Sequence, residues 1–566
     1  MQTQVPANLG DEISEFSQGM YLRTKLARGA TMKLSLTLLW TVLLLACIPA
    51  YNLIAQGQQA PPTDVPTLRV TSTLVFLDVT VLDKKGHPVV TGLTQNDFTI
   101  TEDRKPQRIF SFEAPDAHVM STNPGSDNPD GMAPVTVFVL DLLNSSFQDF
   151  AYIRYEVRQF LLTQPAQLAA PAEMMVVGNE SLEMLQGYTR NRADLLYALD
   201  HLPAALPYKK MNATFSWERF AQSIDALQQV ALQNKGVPGR KNIVWVGHGG
   251  PGIYLDPMIL PPKALEELKQ YVHDTTNMMV DARISLFVIY PDLKVSAGIS
   301  LSAMESDIDL GDSDPFAGDI NFGVFVNETG GKLFFNRNDV DMEIRQSEQI
   351  GSNYYTLTYQ PQDQNGEADG KFRRIRVSVR DRNLQVVTKA GYFAPDKNAP
   401  FDPRQQTMAK LSEAAQSTIP FTALDVNISR VVRHPDTRTA SLRIELKTKN
   451  LVWLPADDGR STVNLTLAAV SRDADHNILA SQLQRLTLSS VLPDPAHMPP
   501  VASRFTVTLR IPRKTRNVRV VIENEDGGRM GTADLDRRRI DAAPALPTPE
   551  PHLSQHRPEY VPPTTP

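Results

Sequence analysis

The spacing of apolar and polar residues changes several times along the chain, and each change marks an element boundary. Between 68 and 112 the apolar residues come in short alternating bursts. Val75, Leu77, Val79 and Val81 share one face of a strand, and Phe98, Ile100, Phe110 and Phe112 mark later strands. Lys84-Lys85-Gly86-His87-Pro88 is a turn between them. Residues 67–113 therefore read as a small antiparallel β module, followed by a linker at 114–133 rich in Pro, Gly, Asp and Asn. The pattern then becomes continuous. Residues 135–140 (VTVFVL) form an unbroken apolar run ending in Asp141, as expected of a parallel strand buried on both faces. Further runs at 173–177, 182–188, 242–246, 284–290 and 332–335 alternate with helix-period stretches at 148–163, 191–201, 214–234 and 262–280, one ending at 329, and one at 339–350. Such alternation specifies an α/β domain with a doubly wound, Rossmann-like parallel sheet and helices on both faces.

From 354 to 393 the pattern returns to strands (YYTLTY, RRIRVSV, LQVVTK). Their spacing suggests edge strands that extend or cap the parallel sheet, which makes 134–395 one domain. Residues 401–417 read as a short helical linker. From 420 to 535 alternating strands with turn signals read as a C-terminal β-sandwich, and the Pro-rich 541–566 is expected to be disordered.

Composition sharpens this picture. At 566 residues the chain is too long for one core, and 42% hydrophobic with 21% charged residues is ordinary for a folded protein. A formal net charge of −6 gives no global basic footprint, so nucleic acid is not an expected partner. The single cysteine, Cys47, excludes an internal disulfide and a multi-cysteine zinc site. It lies in the uncharged run 34–55 (LSLTLLWTVLLLACIPAYNLIA), which follows Lys25, Arg28 and Lys33. Basic residues before an apolar run describe a signal peptide, and the length also suits a retained anchor. Residues 32–56 are assigned to that segment and 1–31 to an upstream extension. Everything after it is expected outside the cytoplasm: secreted, periplasmic or envelope-anchored, with membrane contact through this segment if it is not cleaved.

Several separated landmarks recur in order: 75–93, DFTITEDRKPQRIFSF (97–112), VFVLDLLNSSFQDFAYIR (137–154), GRKNIVWVGHGGPG (239–252) and GGKLFFNRNDVDMEIRQSEQIGSNYYTLTYQP (330–361). Together they resemble the von Willebrand factor A-related proteins of the acidobacterial type. The resemblance implies a von Willebrand factor A-like central domain, flanked here by the N-terminal β module and the C-terminal sandwich. It also implies a divalent cation, Mg²⁺ or Ca²⁺, at the top of the sheet. The family's ligands are an Asp-x-Ser-x-Ser run, a Thr on a second loop and an Asp in a Thr-Asp-Gly turn. Carried over, Asp141 and Ser145 are retained, while Leu143 replaces the middle Ser and cannot coordinate. Ala193 aligns with the Thr, with Thr189 four residues earlier. His248 stands where the turn Asp belongs. Asp141, Ser145 and Thr189 are thus the candidate metal ligands of a degenerate site, with Asn144 and His248 as candidate binding residues. An Asp at a strand end is equally a good helix cap or loop organiser.

Other chemistry is sparse. The acidic loop holding Asp307, Asp309, Asp312, Asp314 and Asp319 lacks an EF-hand register. The turn 247–252 lacks a phosphate-binding Gly pattern, and Pro251 removes a donor. No Gly-x-Ser-x-Gly nucleophile motif occurs. Arg513, Lys514, Arg516 and Arg519 read as an exposed basic face on a strand. The expected function is a non-enzymatic, exported binding or adhesion scaffold with a protein ligand. The alternatives are a metal-assisted hydrolase using Asp141, His248 and the acidic loop, or a chaperone-like envelope assembly factor.

Overall fold

The computed structural model describes residues 74–119, 133–179, 181–202, 216–253, 262–291, 314–316, 320–335, 339–361, 369–394, 403–455, 460–490 and 502–546. The expected export segment, the Pro-rich tail beyond 546 and most of the acidic loop lie outside them.

The chain opens with strands β1 (Val75–Leu82), β2 (Phe98–Glu102), β3 (Lys105–Gln107) and β4 (Ile109–Glu113). The α/β region follows, with β5 (Val135–Asp141), α1 (Phe147–Thr163), β6 (Gln167–Val177), β7 (Leu182–Asn191), α2 (Arg192–Asp200), α3 (Ser216–Asn234) and β8 (Lys241–Val246). It continues with α4 (Pro262–Asp281), β9 (Ile284–Ile289), α5 (Phe322–Thr329), β10 (Lys332–Phe334) and α6 (Val340–Ser352). These strands form one six-stranded sheet in the order β10-β9-β8-β5-β6-β7. Counted within the region this is 3-2-1-4-5-6, the doubly wound order whose switch point falls between the first and fourth strands, here β5 and β8. Alternate residues of the buried strands feed two cores. Val137, Val139, Ile243 and Trp245 pack under α3, α4 and α5. Phe138, Leu140, Val244 and Val246 pack under α1, α2 and α6.

Two expectations need correction. The first is that the sheet is all-parallel: β7 pairs antiparallel with β6. Only residues 178–181 separate the two strands, too few for a parallel crossover, which needs about a dozen or more. The second concerns β11 (Tyr355–Tyr359), β12 (Phe372–Val379), β13 (Gln385–Val387) and β14 (Gly391–Phe393). They do not extend the parallel sheet. Instead β11 and β13 pair with β1, β11 also pairs with β4, and β12 pairs with β2, all antiparallel. Two four-stranded sheets result, β13-β1-β11-β4 and β14-β12-β2-β3. Their shared core holds Leu77, Val79, Val81, Phe98, Ile100, Leu357 and Ile375. The α/β unit is thus an insertion between β4 and β11 of a β unit whose halves flank it in sequence. The physical reason lies in the side-chain pattern. β12 alternates covered and open positions, which suits a sheet with one buried face, and the apolar faces that match it are those of β1 and β2.

Buried charge seals the base of the insertion. Arg283, just before β9, donates to Asp78 of β1 through Nε (3.1 Å) and through Nη2. Arg240, fully buried, donates to Thr80 Oγ1 and Ser285 Oγ, each at 2.9 Å, and to the Gly330 carbonyl at 3.3 Å. Burial alone would raise the Asp78 carboxyl, but Arg283 and Arg240 outweigh it and hold it below its ordinary value.

The helix α7 (Pro403–Gln416) leads to β15 (Val426–His434), β16 (Thr439–Lys447), β17 (Leu454–Pro455), β18 (Ser461–Arg472), β19 (Ile478–Ser490), β20 (Ala502–Arg510), β21 (Asn517–Asn524), β22 (Arg529–Asp536) and the short α8 (Arg537–Asp541). Sheet β15-β16-β20 faces sheet β17-β18-β21-β22, with β19 paired on β18. Leu442, Ile444, Leu465, Leu467, Val507 and Val520 lie in the core between them. Arg519 and Arg472, both almost fully buried, share Asp534 and donate to the carbonyls of Ser417 and of Ala414 and Ala415 at the end of α7. Arg519 is therefore a helix-end clamp and not part of an exposed basic face.

Glu173 is among the buried groups that make stability depend on pH. Glu173 of β6 is fully buried and accepts from Gln233 Nε2 and Asn234 Nδ2 of α3, both at 3.3 Å. Burial pushes its carboxyl up to about 7 from an ordinary 4.5. Below pH 4.5 both folded and unfolded chains keep the proton. Between 4.5 and about 7 only the unfolded chain ionises, so stability falls as pH rises, and above that the loss is constant. Glu173→Gln is expected to remove this component. Chemical denaturation should find the variant more stable than wild type at pH 8, by up to about 3 kcal/mol, with the gap closing near pH 4.5.

Candidate functional site

The C-terminal edge of the sheet at the β5–β8 switch point is where open α/β folds place ligands, and here it is organised by one carboxylate. Asp141, the last residue of β5, is fully buried. Its Oδ1 accepts from the Asn144 backbone N–H at 2.9 Å and from Asn144 Nδ2 at 3.2 Å. Its Oδ2 accepts from the Gly249 N–H at 2.8 Å, Trp245 Nε1 at 3.1 Å and Asn144 Nδ2 at 3.2 Å. The carboxylate thus ties the β5–α1 loop to the β8 turn. Burial raises its pKa, partly opposed by the hydrogen bonds from Asn144 and Trp245 and by nearby His248.

The surrounding packing leaves no slack. Gly247 has φ 144°, and a Cβ there would lie 2.3 Å from Asp141 Cβ, so only glycine lets the turn approach the carboxylate. Trp245 meets Phe322, the first residue of α5, edge-on at 4.9 Å. Asn144 Nδ2 also donates to Ser223 Oγ at 3.0 Å, and Ser223 Oγ donates to the Arg219 carbonyl at 2.8 Å, joining α3 to the same cluster. Ser146 caps α1 in a reciprocal box with Asp149. Next to it Phe147 is 69% exposed, an apolar ring presented to solvent at this edge.

The structure brings together Asp141, Asn144, Ser145 and His248 at this edge, but not Thr189. In β7 Thr189 pairs with Ala172, five positions below the Val177–Leu182 pair that lies beside Asp141. Its hydroxyl donates to Asp194 Oδ2 at 2.8 Å and accepts from the Asn191 N–H at 3.0 Å, a local brace at the start of α2. Ala193 is at that same far end. The reversed direction of β7 is the cause. What does reach the site's edge is the end of β6 and Gly178 after it, whose carbonyl accepts from Gln222 Nε2 at 2.7 Å. Leu143 is fully buried in the core under α3. His248 packs edge-on against Tyr290 at 5.5 Å. Buried side-chain atoms without a hydrogen-bond partner at this edge include Ser145 Oγ, Asn144 Oδ1 and His248 Nδ1.

This donor set does not fit a hard divalent cation. Such ions need about six oxygens, yet both oxygens of the one carboxylate already accept N–H donors, and the sequence-nominated Thr lies at the far end. Among the described residues no group of three His, Cys, Asp or Glu side chains is placed to hold a metal. Of the acidic loop, Asp314 is described, and it is engaged by His273 Nε2 at 2.9 Å and by the Phe316 N–H.

The participants missed by sequence reasoning are Trp245, Gly249 and Ser223. Trp245 reads as core in NIVWV, and its indole N–H, which must find an acceptor when buried, was the available signal. Asp141→Ala is expected to leave the Gly249, Asn144 and Trp245 donors unsatisfied and to cost about 3–5 kcal/mol in urea denaturation. His248→Ala should cost far less.

No family model matches the chain, and no curated protein matches it. Among solved structures, the chain is similar to the PilB minor pilin from Streptococcus sanguinis at 11% identity and TM-score 0.23, over 39% of this chain and 62% of that one. It is similar to the pilus adhesin SpaC from Lactobacillus rhamnosus GG at 8% and 0.24, over 79% of this chain and 58% of that one. It is similar to the SpRpn10 VWA domain at 14% and 0.16, over 28% of this chain and 90% of that one. The chain therefore spans less than two thirds of the pilin and of the adhesin, and likeness at these scores carries no functional argument.

Proposed function

We propose that this chain is an exported, non-catalytic binding protein of the von Willebrand factor A-like type, whose sheet-top loops contact a protein partner without a bridging metal ion. The observation that carries the reading is the commitment of Asp141. A carboxylate that accepts four N–H groups holds loops in one conformation, and it is not free to act as a base, a nucleophile or a metal ligand. What the loops then offer is a preorganised edge: the exposed Phe147 ring is presented to solvent, while Ser145, Asn144 and the unpartnered Nδ1 of His248 are buried behind it and hold the loops in place. Rigid loops with an aromatic anchor suit protein recognition, since little ordering entropy is lost on contact. The strand order and the Asp141–Ser145 run support the family assignment. The apolar run at 34–55 supports export, and with it an extracytoplasmic partner.

The metal-assisted hydrolase reading requires a free carboxylate and a bound ion, and neither is supported by this donor set. Assembly-factor and adhesion roles share the same contact chemistry and differ in the partner.

The test is affinity capture from the native cell envelope with the full chain as bait, with and without EDTA, alongside elemental analysis of the purified protein. A partner recovered equally in both conditions, and lost with Phe147→Ala, is the expected result. Near-stoichiometric divalent metal, or capture abolished by EDTA, would overturn the metal-independent reading.

A further inference from the structure

A basic surface forms at one end of the C-terminal sandwich from three separate stretches of chain. The first is the β15–β16 turn, which carries Arg438. The second is the β20–β21 connection, with Arg510, Arg513, Lys514 and Arg516. The third is α8, with Arg537, Arg538 and Arg539. Backbone contacts bring them together. The Ile511 N–H donates to the Arg438 carbonyl at 2.8 Å, Arg510 is in register with Thr439, and the Arg537 N–H donates to the Arg516 carbonyl at 2.8 Å. Arg537 Nη1 also donates to the Pro512 carbonyl at 3.2 Å, so α8 and the β20–β21 connection form one surface. Buried Ile511, Thr515 and Ile540 fasten these segments to the sandwich, and their basic neighbours remain outside.

Charge is not balanced there. Arg537 pairs with Asp541. Arg438, Arg510, Arg513, Lys514, Arg516, Arg538 and Arg539 are exposed, and among the described residues none has a carboxylate at ion-pair distance. The acidic residues on the same stretches, besides Asp541, are Asp436 and Asp536; the β18–β19 turn, joined to Arg516 through the Arg472 carbonyl, adds Asp473 and Asp475, and basic residues still outnumber acidic ones at this end. In a chain with a net charge of −6, seven unpaired cations at one tip are a concentrated exception. Mutual repulsion opposes holding them together, and an anionic partner relieves it. Guanidinium dominates the set, the group that forks onto phosphate. No Trp, Tyr or Phe lies on these three stretches, so the stacking platform that single-stranded nucleic acid needs is missing.

We infer that this tip is a docking surface for an anionic phospholipid headgroup layer. The uncharged run at 34–55 favours a lipid surface over a soluble acidic protein, because it brings this chain to a membrane at export. A basic patch is also the kind of second contact that makes a single apolar attachment stable.

The experiment is co-sedimentation of the full chain with vesicles of phosphatidylglycerol and phosphatidylcholine, against pure phosphatidylcholine, at low and high salt. Two charge-neutralised variants are compared with wild type, R513Q/K514Q/R516Q and R538Q/R539Q, each checked for wild-type thermal unfolding. The second leaves the β20–β21 connection untouched and covers the case in which the first fails to fold. Wild type should prefer the anionic vesicles, and the preference should collapse at high salt. Each variant should lose at least tenfold in partitioning to anionic vesicles, on the basis of about fivefold for each basic residue, while partitioning to pure phosphatidylcholine is unchanged. Equal partitioning to both vesicle types, or folded variants that bind like wild type, would overturn the inference. So would binding to polyglutamate with none to anionic vesicles, which would assign the tip to a soluble acidic partner. The choice of a lipid surface rests on the export reading, but the sheet-top site is not involved in either variant, so failure here would leave the sheet-top contact proposed above untouched.

Discussion

The insertion of the α/β unit into the β unit depends on charge buried at its base. Asp78 lies on β1, before the insertion begins, and Arg283 and Arg240 lie within it. Neither arginine is tolerable in an apolar interior alone, and neither is the carboxylate. Each is acceptable only when the other unit is in place, so this cluster penalises any arrangement in which the two units separate. His118 follows the same logic: it stacks on Tyr354 at 4.3 Å and shares a hydrogen bond with Thr356, just after the chain leaves the insertion. The β unit pairs strands hundreds of residues apart, a loop closure that the folded insertion shortens by holding its two ends together.

A second clamp works in the same way at the other end. The α7 carbonyls that a helix end leaves without partners are taken by Arg519 and Arg472, and Asp534 neutralises both. From the other side, Gln229 of α3 accepts from Ser417 Oγ at 2.8 Å. Leu232 of α3 packs with Leu411, Ala414, Val470 and Val521. Helix α3 therefore touches the Asn144 cluster through Ser223 near one end and the α7–sandwich joint near the other. This explains why it buries so much of its surface despite carrying Gln and Asn along it.

Elements within a unit were legible in the sequence because burial imposes a period. The runs at 135–140, 242–246 and 284–290 are apolar apart from the buried Thr136, Asn242 and Ser285 because helices cover both faces, and they are the central strands. What pairs with what was less legible. The alternation of 372–379 identifies a half-covered strand but not its partner, and β2 lies far away in sequence. The direction of β7 was readable in principle, since four residues cannot carry a parallel crossover, and missing that misplaced Thr189. The basic cluster was partly legible too. Arg513, Lys514 and Arg516 stand out, but only the fold shows that Arg519 turns inward while Arg438, Arg538 and Arg539 join from elsewhere.

Asp141 shows why residue identity at a familiar position does not transfer a role. A strand-end Asp in a crevice is a metal ligand when neighbouring side chains supply further oxygens and the carboxylate keeps lone pairs free. Here Leu143 points into the core, and the nearest groups are the N–H donors of Asn144, Trp245 and Gly249. These donors satisfy the buried charge that a cation would otherwise balance. A hydroxyl remaining at Ser145 does not restore the site, because one oxygen cannot repay displacing four hydrogen bonds from a fully buried carboxylate. At this edge the loops are organised by an indole, a side-chain amide and two backbone amides around one carboxylate.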